Sequence, residues 1–188
     1  MVYLGSFAKT VLPGAQVGYV LADQRVWGAD GTVGLLADQL AKIKSMVTVN
    51  TSPIAQAVVG GRLLAHGCSL ARANERERAV YAGNLRHLTA GLARRFPPPS
   101  PVRWNVPAGG FFAVVTVPFP VDDALLARSA QECGVLWTPM AHFYDDTAAV
   151  DALRLSVSAV TREQIDLGLD RLAALLADEM DRRGVSVT

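Results

Sequence analysis

The 188-residue chain has little of what marks several large protein classes. Cysteine is almost missing. Cys68 and Cys133 stand alone, without metal-ligand spacing, so there is no disulfide framework and no metal site to read; both read as small buried hydrophobes in a reducing, cytoplasmic compartment. Charge of one sign is missing too. A formal net charge of +1 leaves no electrostatic footprint for nucleic acid or for an anionic membrane. No apolar run approaches the roughly 20 residues that a membrane-spanning helix needs. His66, His87 and His142 form no cluster and read as surface or lining residues, with only His142 near a presumed cleft. There is no internal repeat, and the one biased tract is the proline run Phe96 to Pro101.

What is present is a 51% hydrophobic chain, long enough for one ordinary domain or two small ones. Residues 1–4 and 17–21 are continuous apolar runs, the pattern of strands buried on both faces, with the Pro13-Gly14 turn signal between them. Leu36, Leu40, Ile43 and Val47 predict a helix over about 30–47. Ser52 as N-cap, Pro53 at the first helical position and Gly67 as terminator delimit a second helix. A third, more polar helix is expected over 69–95, with Ala73, Val80, Tyr81, Leu85, Leu88 and Leu92 on or near one face. The proline run breaks the chain and suggests a subdomain boundary at 96–101. Beyond it the pattern is strand, helix, strand, strand, helix. The strand after Gly109-Gly110 leads to a helix capped by Asp122 or Asp123 and stopped by Gly134; Thr161-x-x-Gln164 is a capping box for the last helix. The first half supplies two buried-type strands without enough neighbours, so it is expected to belong to a larger sheet.

The pattern Ser6-x-x-Lys9 is open to three chemistries. A serine nucleophile with a lysine base needs companion Ser-Asp-Asn and Lys-Thr-Gly triplets, and neither is present. A phosphate loop needs glycine directly before the lysine, where Ala8 stands. A Schiff-base lysine for pyridoxal phosphate needs an amine that deprotonates near neutral pH and a phosphate anchor, for which Ser6 offers a hydroxyl.

Taken whole, "GSFAKTVLPGAQVGYV" resembles the lysine segment of fold-type I pyridoxal-phosphate aminotransferases, the class I/II family. "NTSPIAQAVV", "ERERAVYAGNLRHL", "WNVPAGGFFAVVTVP", "GVLWTPMAHFY" and "LRLSVSAV" are similar to later segments of that family, in the same order. The resemblance implies an α/β plus α+β architecture: the end of the aminotransferase large-domain sheet followed by the complete small C-terminal α+β domain. Residues 1–68 would be the C-terminal remnant of the cofactor-binding large domain, 69–95 an interdomain helix, and 96–188 the small domain. It further implies transfer of an amino group from an amino acid to a 2-oxo acid. Lys9 would be the catalytic lysine and, with Ser6 and Gln16, part of the cofactor site. Arg154 would hold the substrate carboxylate, and Gly110, beside Gly109, would let the backbone approach the substrate. The same residues would also serve a lyase or cyclase of this fold.

Four departures qualify the expectation. Gln16 stands where the family has its phosphate-binding arginine, seven residues after the lysine, which predicts tenfold to a hundredfold weaker cofactor binding, about 1.5–3 kcal/mol. Met140 follows Pro139 where the family has glycine, and Asn84 departs from the helix pattern. The family's larger N-terminal part has no counterpart here, so the isolated chain is expected to bind pyridoxal phosphate weakly or not at all. It is expected to act with a partner, either as a homodimer or with a complementary N-terminal half. The rival reading is a non-catalytic remnant, or an interaction module that completes such a sheet.

Overall fold

The structure, a computed structural model, describes residues 1–29, 31–48, 50–145 and 150–185. It divides into two compact units, Met1–Glu75 and Arg76–Thr188.

In the first unit β1 (Val2–Ser6) and β2 (Gly18–Ala22) form an antiparallel hairpin, in register from Val2↔Ala22 to Ser6↔Gly18. Both strands lie where the apolar runs place them, but their burial corrects the expectation. Leu4 is 74% and Leu21 60% exposed, because among the described residues these strands pair only with each other. Their apolar character is therefore not satisfied by packing inside this unit. A second hairpin, β3 (Arg25–Trp27) with β4 (Val33–Leu35), was not anticipated. It occupies the start of the stretch read as helical, so α1 begins only at Leu36 and spans Leu36–Val47. Helix α2 (Pro53–Ala65) starts as read: Ser52 Oγ accepts from Ala55 N–H at 3.3 Å, with Pro53 first in the helix. The chain leaves it through Gly67 and Cys68, both left-handed at φ +61° and +57°. Cys68 is exposed, contrary to the buried reading, because it sits on this turn.

The helix expected over 69–95 is two helices. α3 (Leu70–Ala73) is capped by Ser69 and closed by Asn74, whose side chain donates to the Leu70 carbonyl at 2.8 Å. An asparagine that bonds its own preceding turn competes with helix continuation, and the chain restarts as α4 (Glu75–Arg95).

In the second unit, Leu85, Leu88 and Leu92 of α4 enter the core, whereas Val80 is 51% exposed and does not share that face. The sheet is antiparallel throughout, in the order β5 (Arg103–Trp104), β6 (Phe112–Thr116), β8 (Ala152–Ser156), β7 (Thr138–Pro139). Alternation along the central pair sends Ala113, Val115, Leu153 and Leu155 into the core. Between β6 and β7 runs α5 (Asp123–Arg128), N-capped by Asp122, which continues as a π-helical turn over Ser129–Cys133 and stops at left-handed Gly134. Within that turn Ser129 is fully buried and accepts from Trp137 Nε1 at 3.0 Å while donating to the Val135 carbonyl. Helix α6 (Arg162–Arg182) opens with the capping box of Thr161 and Gln164 and buries Ile165, Leu169, Leu172 and Leu176 against the sheet. Asn84 is buried and reaches across to the segment after β8, donating to the carbonyls of Val157 at 3.2 Å and Val160 at 3.0 Å.

Candidate functional site

Lys9 sits on the connection of the first hairpin. The ladder ends at Ser6↔Gly18, and one further bond, from Phe7 N–H to the Val17 carbonyl at 2.9 Å, closes the loop. Inside it the Phe7 carbonyl accepts from the amides of Thr10, Val11 and Leu12, folding residues 7–12 into a tight turn. Ser6 Oγ accepts from Ala8 N–H at 3.1 Å, which leaves its hydroxyl hydrogen free to donate outward. Lys9 is exposed on this turn. Pro13–Ala15 form a single 3-10 turn, after which Gln16 takes the left-handed conformation, φ 48°, and is also exposed.

The aromatic side chains of the hairpin pack beside the loop. Tyr19 stacks against Phe7 with ring centroids 4.8 Å apart and against Tyr3 at 6.0 Å, and its ring lies directly over Gly5, where a β-carbon would overlap it. Desolvation in this cluster, followed by the hydrogen bond and charge of Tyr3, raises the Tyr19 phenol above its usual range.

The loop's side-chain donors are an amine, two hydroxyls and a carboxamide, with no carboxylate from Ser6 to Gly18. Thr10 Oγ1, next to Lys9, is buried and has no hydrogen-bond partner among the described residues. This donor set fits a phosphate-bearing aldehyde. Its only cationic group is Lys9 itself.

The second unit holds Arg154 and Gly110. Arg154 lies at the centre of β8, opposite Val114 of β6 and Thr138 of β7. Its guanidinium carbon is 4.1 Å from the Phe112 ring centroid and 4.5 Å from that of Phe143. No carboxylate pairs with it among the described residues. Two rings over the guanidinium leave its N–H edges as the accessible donors, an arrangement that suits an incoming planar carboxylate. Gly110 is left-handed at φ +85°, and nothing stands within 4 Å of where its β-carbon would be; the same space is open at Gly109. It precedes by two residues the Phe112 that packs on Arg154. Met140, on the 3-10 turn Met140–Phe143, leads to the second ring.

Sequence reading missed Phe112 and Phe143. Neither spacing nor periodicity brings them to Arg154; only the β6–β8 register and the turn after β7 do. His142, placed by the reading near a cleft, is paired with Asp123 at 2.9 Å on the surface. His87 is paired with Asp166 at 2.8 Å between α4 and α6. That hydrogen bond, then the charges of His87, Arg95 and Arg94, hold the Asp166 carboxyl below the usual range.

Comparison with known proteins converges on one family. The family described as aminotransferase class I and II matches residues 1–172. The (S)-3,5-dihydroxyphenylglycine transaminase of Amycolatopsis orientalis is 57% identical over 176 residues, covering 94% of this chain and 39% of that protein. The 2-aminoadipate transaminase of Thermus thermophilus is 30% identical, covering 94% and 41%. Among solved structures, the alpha-aminoadipate aminotransferase of Thermus thermophilus, complexed with N-(5'-phosphopyridoxyl)-L-leucine, superposes with a TM-score of 0.76 at 26% identity, covering 96% of this chain and 42% of that one. The kynurenine aminotransferase of Pyrococcus horikoshii superposes with a TM-score of 0.77 at 27% identity, covering 95% and 41%. The chain thus spans about 40% of the length of the relatives it matches.

Proposed function

This chain belongs to the aminotransferase class I and II family, and we propose that it carries the lysine and the carboxylate-binding arginine of a pyridoxal-phosphate-dependent aminotransferase. The reaction is transfer of an amino group from an amino acid to a 2-oxo acid. The observation that carries the reading is the Lys9 turn: an exposed lysine three residues after a serine whose oxygen accepts from Ala8 N–H, in a loop fixed by its own backbone bonds.

When bound, the cofactor supplies an electron sink for charge developing at the substrate α-carbon. The chain's own residues do the rest. Lys9 anchors the cofactor through its amine and moves a proton to and from the α-carbon. Ser6 donates its hydroxyl hydrogen to the phosphate, and Gln16 adds a neutral amide donor. Arg154 receives the substrate carboxylate on its N–H edges, and Gly110 keeps the nearby backbone clear of a side chain.

In domain terms, residues 1–68 read as the end of a large cofactor-binding domain, 69–95 as an interdomain helix and 96–188 as the small domain. The assembly we propose is a homodimer, or a pairing with a complementary N-terminal half, in the cytoplasm. The 57% identical relative is named for an aromatic 2-amino acid, so arylglycines are the substrates to try first. A second reading, a non-catalytic module, is favoured by Gln16, which cannot neutralise a phosphate dianion.

The test is covalent trapping. Chain mixed with pyridoxal phosphate is reduced with borohydride, digested and mapped by mass spectrometry. The adduct is expected on Lys9 in preference to Lys42 and Lys44 of α1, and to disappear in Lys9→Ala. Equal labelling of all three lysines would sink the assignment.

A further inference from the structure

The main chain of Arg154 takes its support from one short neighbour. Val157 N–H bonds the Phe111 carbonyl and Val117 N–H the Asp151 carbonyl, so odd-numbered residues of β8 turn their main-chain groups toward β6. Alternate residues of an antiparallel ladder face the other way. Arg154 therefore turns its N–H and C=O toward β7, where Thr138 stands opposite. β7 consists of Thr138 and Pro139, and proline has no N–H to give. A hold this short is only as firm as the segment that delivers it.

Ser129 anchors that segment. The end of α5 widens into the π-helical turn Ser129–Cys133, a rare conformation that occurs often at functional sites. Ser129 closes this turn onto the residues that lead into β7. Its carbonyl accepts from the amides of Gly134 and Val135, and its hydroxyl donates to the Val135 carbonyl at 2.8 Å. The same oxygen accepts from Trp137 Nε1 at 3.0 Å. Ser129 and Trp137 are both buried, so this bond is made away from water, where an unpaired donor is costly. Trp137 directly precedes Thr138 in the chain, and Pro139 on the other side is fully buried. Downstream, the same stretch runs into the Met140–Phe143 turn, which brings the Phe143 ring to the guanidinium. A second tie, His142 to Asp123 at 2.9 Å, joins that turn to the start of α5. Its side chains are 52% and 72% exposed, and exposed pairs of this kind contribute little. The buried bond is the one that holds β7.

We infer that Ser129 is a positioning residue for Arg154: through Trp137 it fixes β7 against Arg154, and so sets the guanidinium and its Phe143 ring for the substrate carboxylate. The hydroxyl touches no substrate; it acts through the main chain of Thr138. The carboxylate role rests on the aminotransferase reading, whereas the brace from Ser129 to Arg154 rests on the hydrogen bonds and the register.

The experiment compares wild type, Ser129→Ala and Trp137→Phe as full ¹⁵N-labelled chains. Amide exchange is read at Arg154, whose N–H faces β7, and at Leu155, whose N–H faces β6. In Ser129→Ala the Arg154 amide is expected to exchange roughly tenfold or more faster relative to Leu155. Trp137→Phe removes the same bond from its other partner and should act alike, which keeps the inference falsifiable where one variant does not fold. A serine that only stabilises the fold would speed both amides equally, so an unchanged ratio overturns the inference. An equal rise of the ratio in His142→Ala would also overturn it, by giving the role to the surface pair. Phenylglyoxylate, an aromatic 2-oxo acid, is then titrated against each chain by NMR. Its affinity is expected to fall about tenfold in both variants, in step with the exchange ratio. A raised ratio with undiminished affinity overturns the positioning role. Wild type that binds no phenylglyoxylate, with the ratio still raised in the variants, removes the carboxylate reading of Arg154 and the part of this inference that rests on it, while the brace stands.

Discussion

The guanidinium of Arg154 lies 4.1 Å from the ring centroid of Phe112, and Phe143 flanks it at 4.5 Å. The positive charge is thus held by ring faces and keeps its hydrogen-bonding edges. Arg154→Lys retains charge but loses the planar fork that a carboxylate meets with two parallel bonds. In this chain, binding of a 2-oxo acid followed through side-chain NMR should weaken about tenfold in Arg154→Lys and disappear in Arg154→Gln, as expected for loss of about 1.5–3 kcal/mol. Unchanged binding in Arg154→Gln would place the carboxylate elsewhere.

Gln16 already occupies the left-handed region, so replacing it with arginine adds no new backbone penalty. Gln16→Arg should therefore act through charge alone and raise the yield of the trapped Lys9 adduct at limiting pyridoxal phosphate by tenfold to a hundredfold, again about 1.5–3 kcal/mol. An unchanged yield would count against Gln16 as a phosphate contact.

Asn84 joins α4 to the chain after β8 through two bonds from one amide group. Asn84→Ala removes both bonds and leaves the Val157 carbonyl without its partner in a buried setting and the Val160 carbonyl without its partner in a partly buried one. The expected loss is about 2–3 kcal/mol in urea unfolding. The same residue, read from sequence, was only a departure from a family pattern. Its role became visible once β8 and α4 were seen side by side.

That contrast runs through the molecule. Features written into consecutive residues were legible: the Ser52-Pro53 start of α2, the Thr161–Gln164 box of α6 and the strand character of β1 and β2. Features set by non-local pairing were not. The three-residue strands β3 and β4 are too short for a periodic signal, and the rings on Arg154 come from separate elements. Burial of the first hairpin was misread because an apolar run reports what a strand is suited to meet, whereas exposure depends on which neighbours are there.

Asp166 links the same two helices, α4 and α6, from the surface, with His87 and Arg95. Its carboxyl is held below the usual range, so its folded value lies under its unfolded one. The associated stability is complete above the ordinary carboxylate value of about 3.9 and is lost as pH falls through the lowered folded value. Thermal unfolding of the wild type should therefore drop in midpoint below about pH 4. Asp166→Asn should start lower at neutral pH and lose less over that acid interval. A parallel acid decline in the two proteins would remove Asp166 as its source.

The bond from Phe7 N–H to the Val17 carbonyl, with the threefold use of the Phe7 carbonyl, makes the lysine turn a self-contained cassette. A turn whose shape is written in a dozen adjacent residues does not need a distant scaffold to aim it. Such a piece is portable: grafted between two antiparallel strands of another protein, residues 5–19 would carry their geometry along, with Gly5 and Tyr19 moved as a pair because the tyrosine ring occupies the space a side chain at position 5 would need.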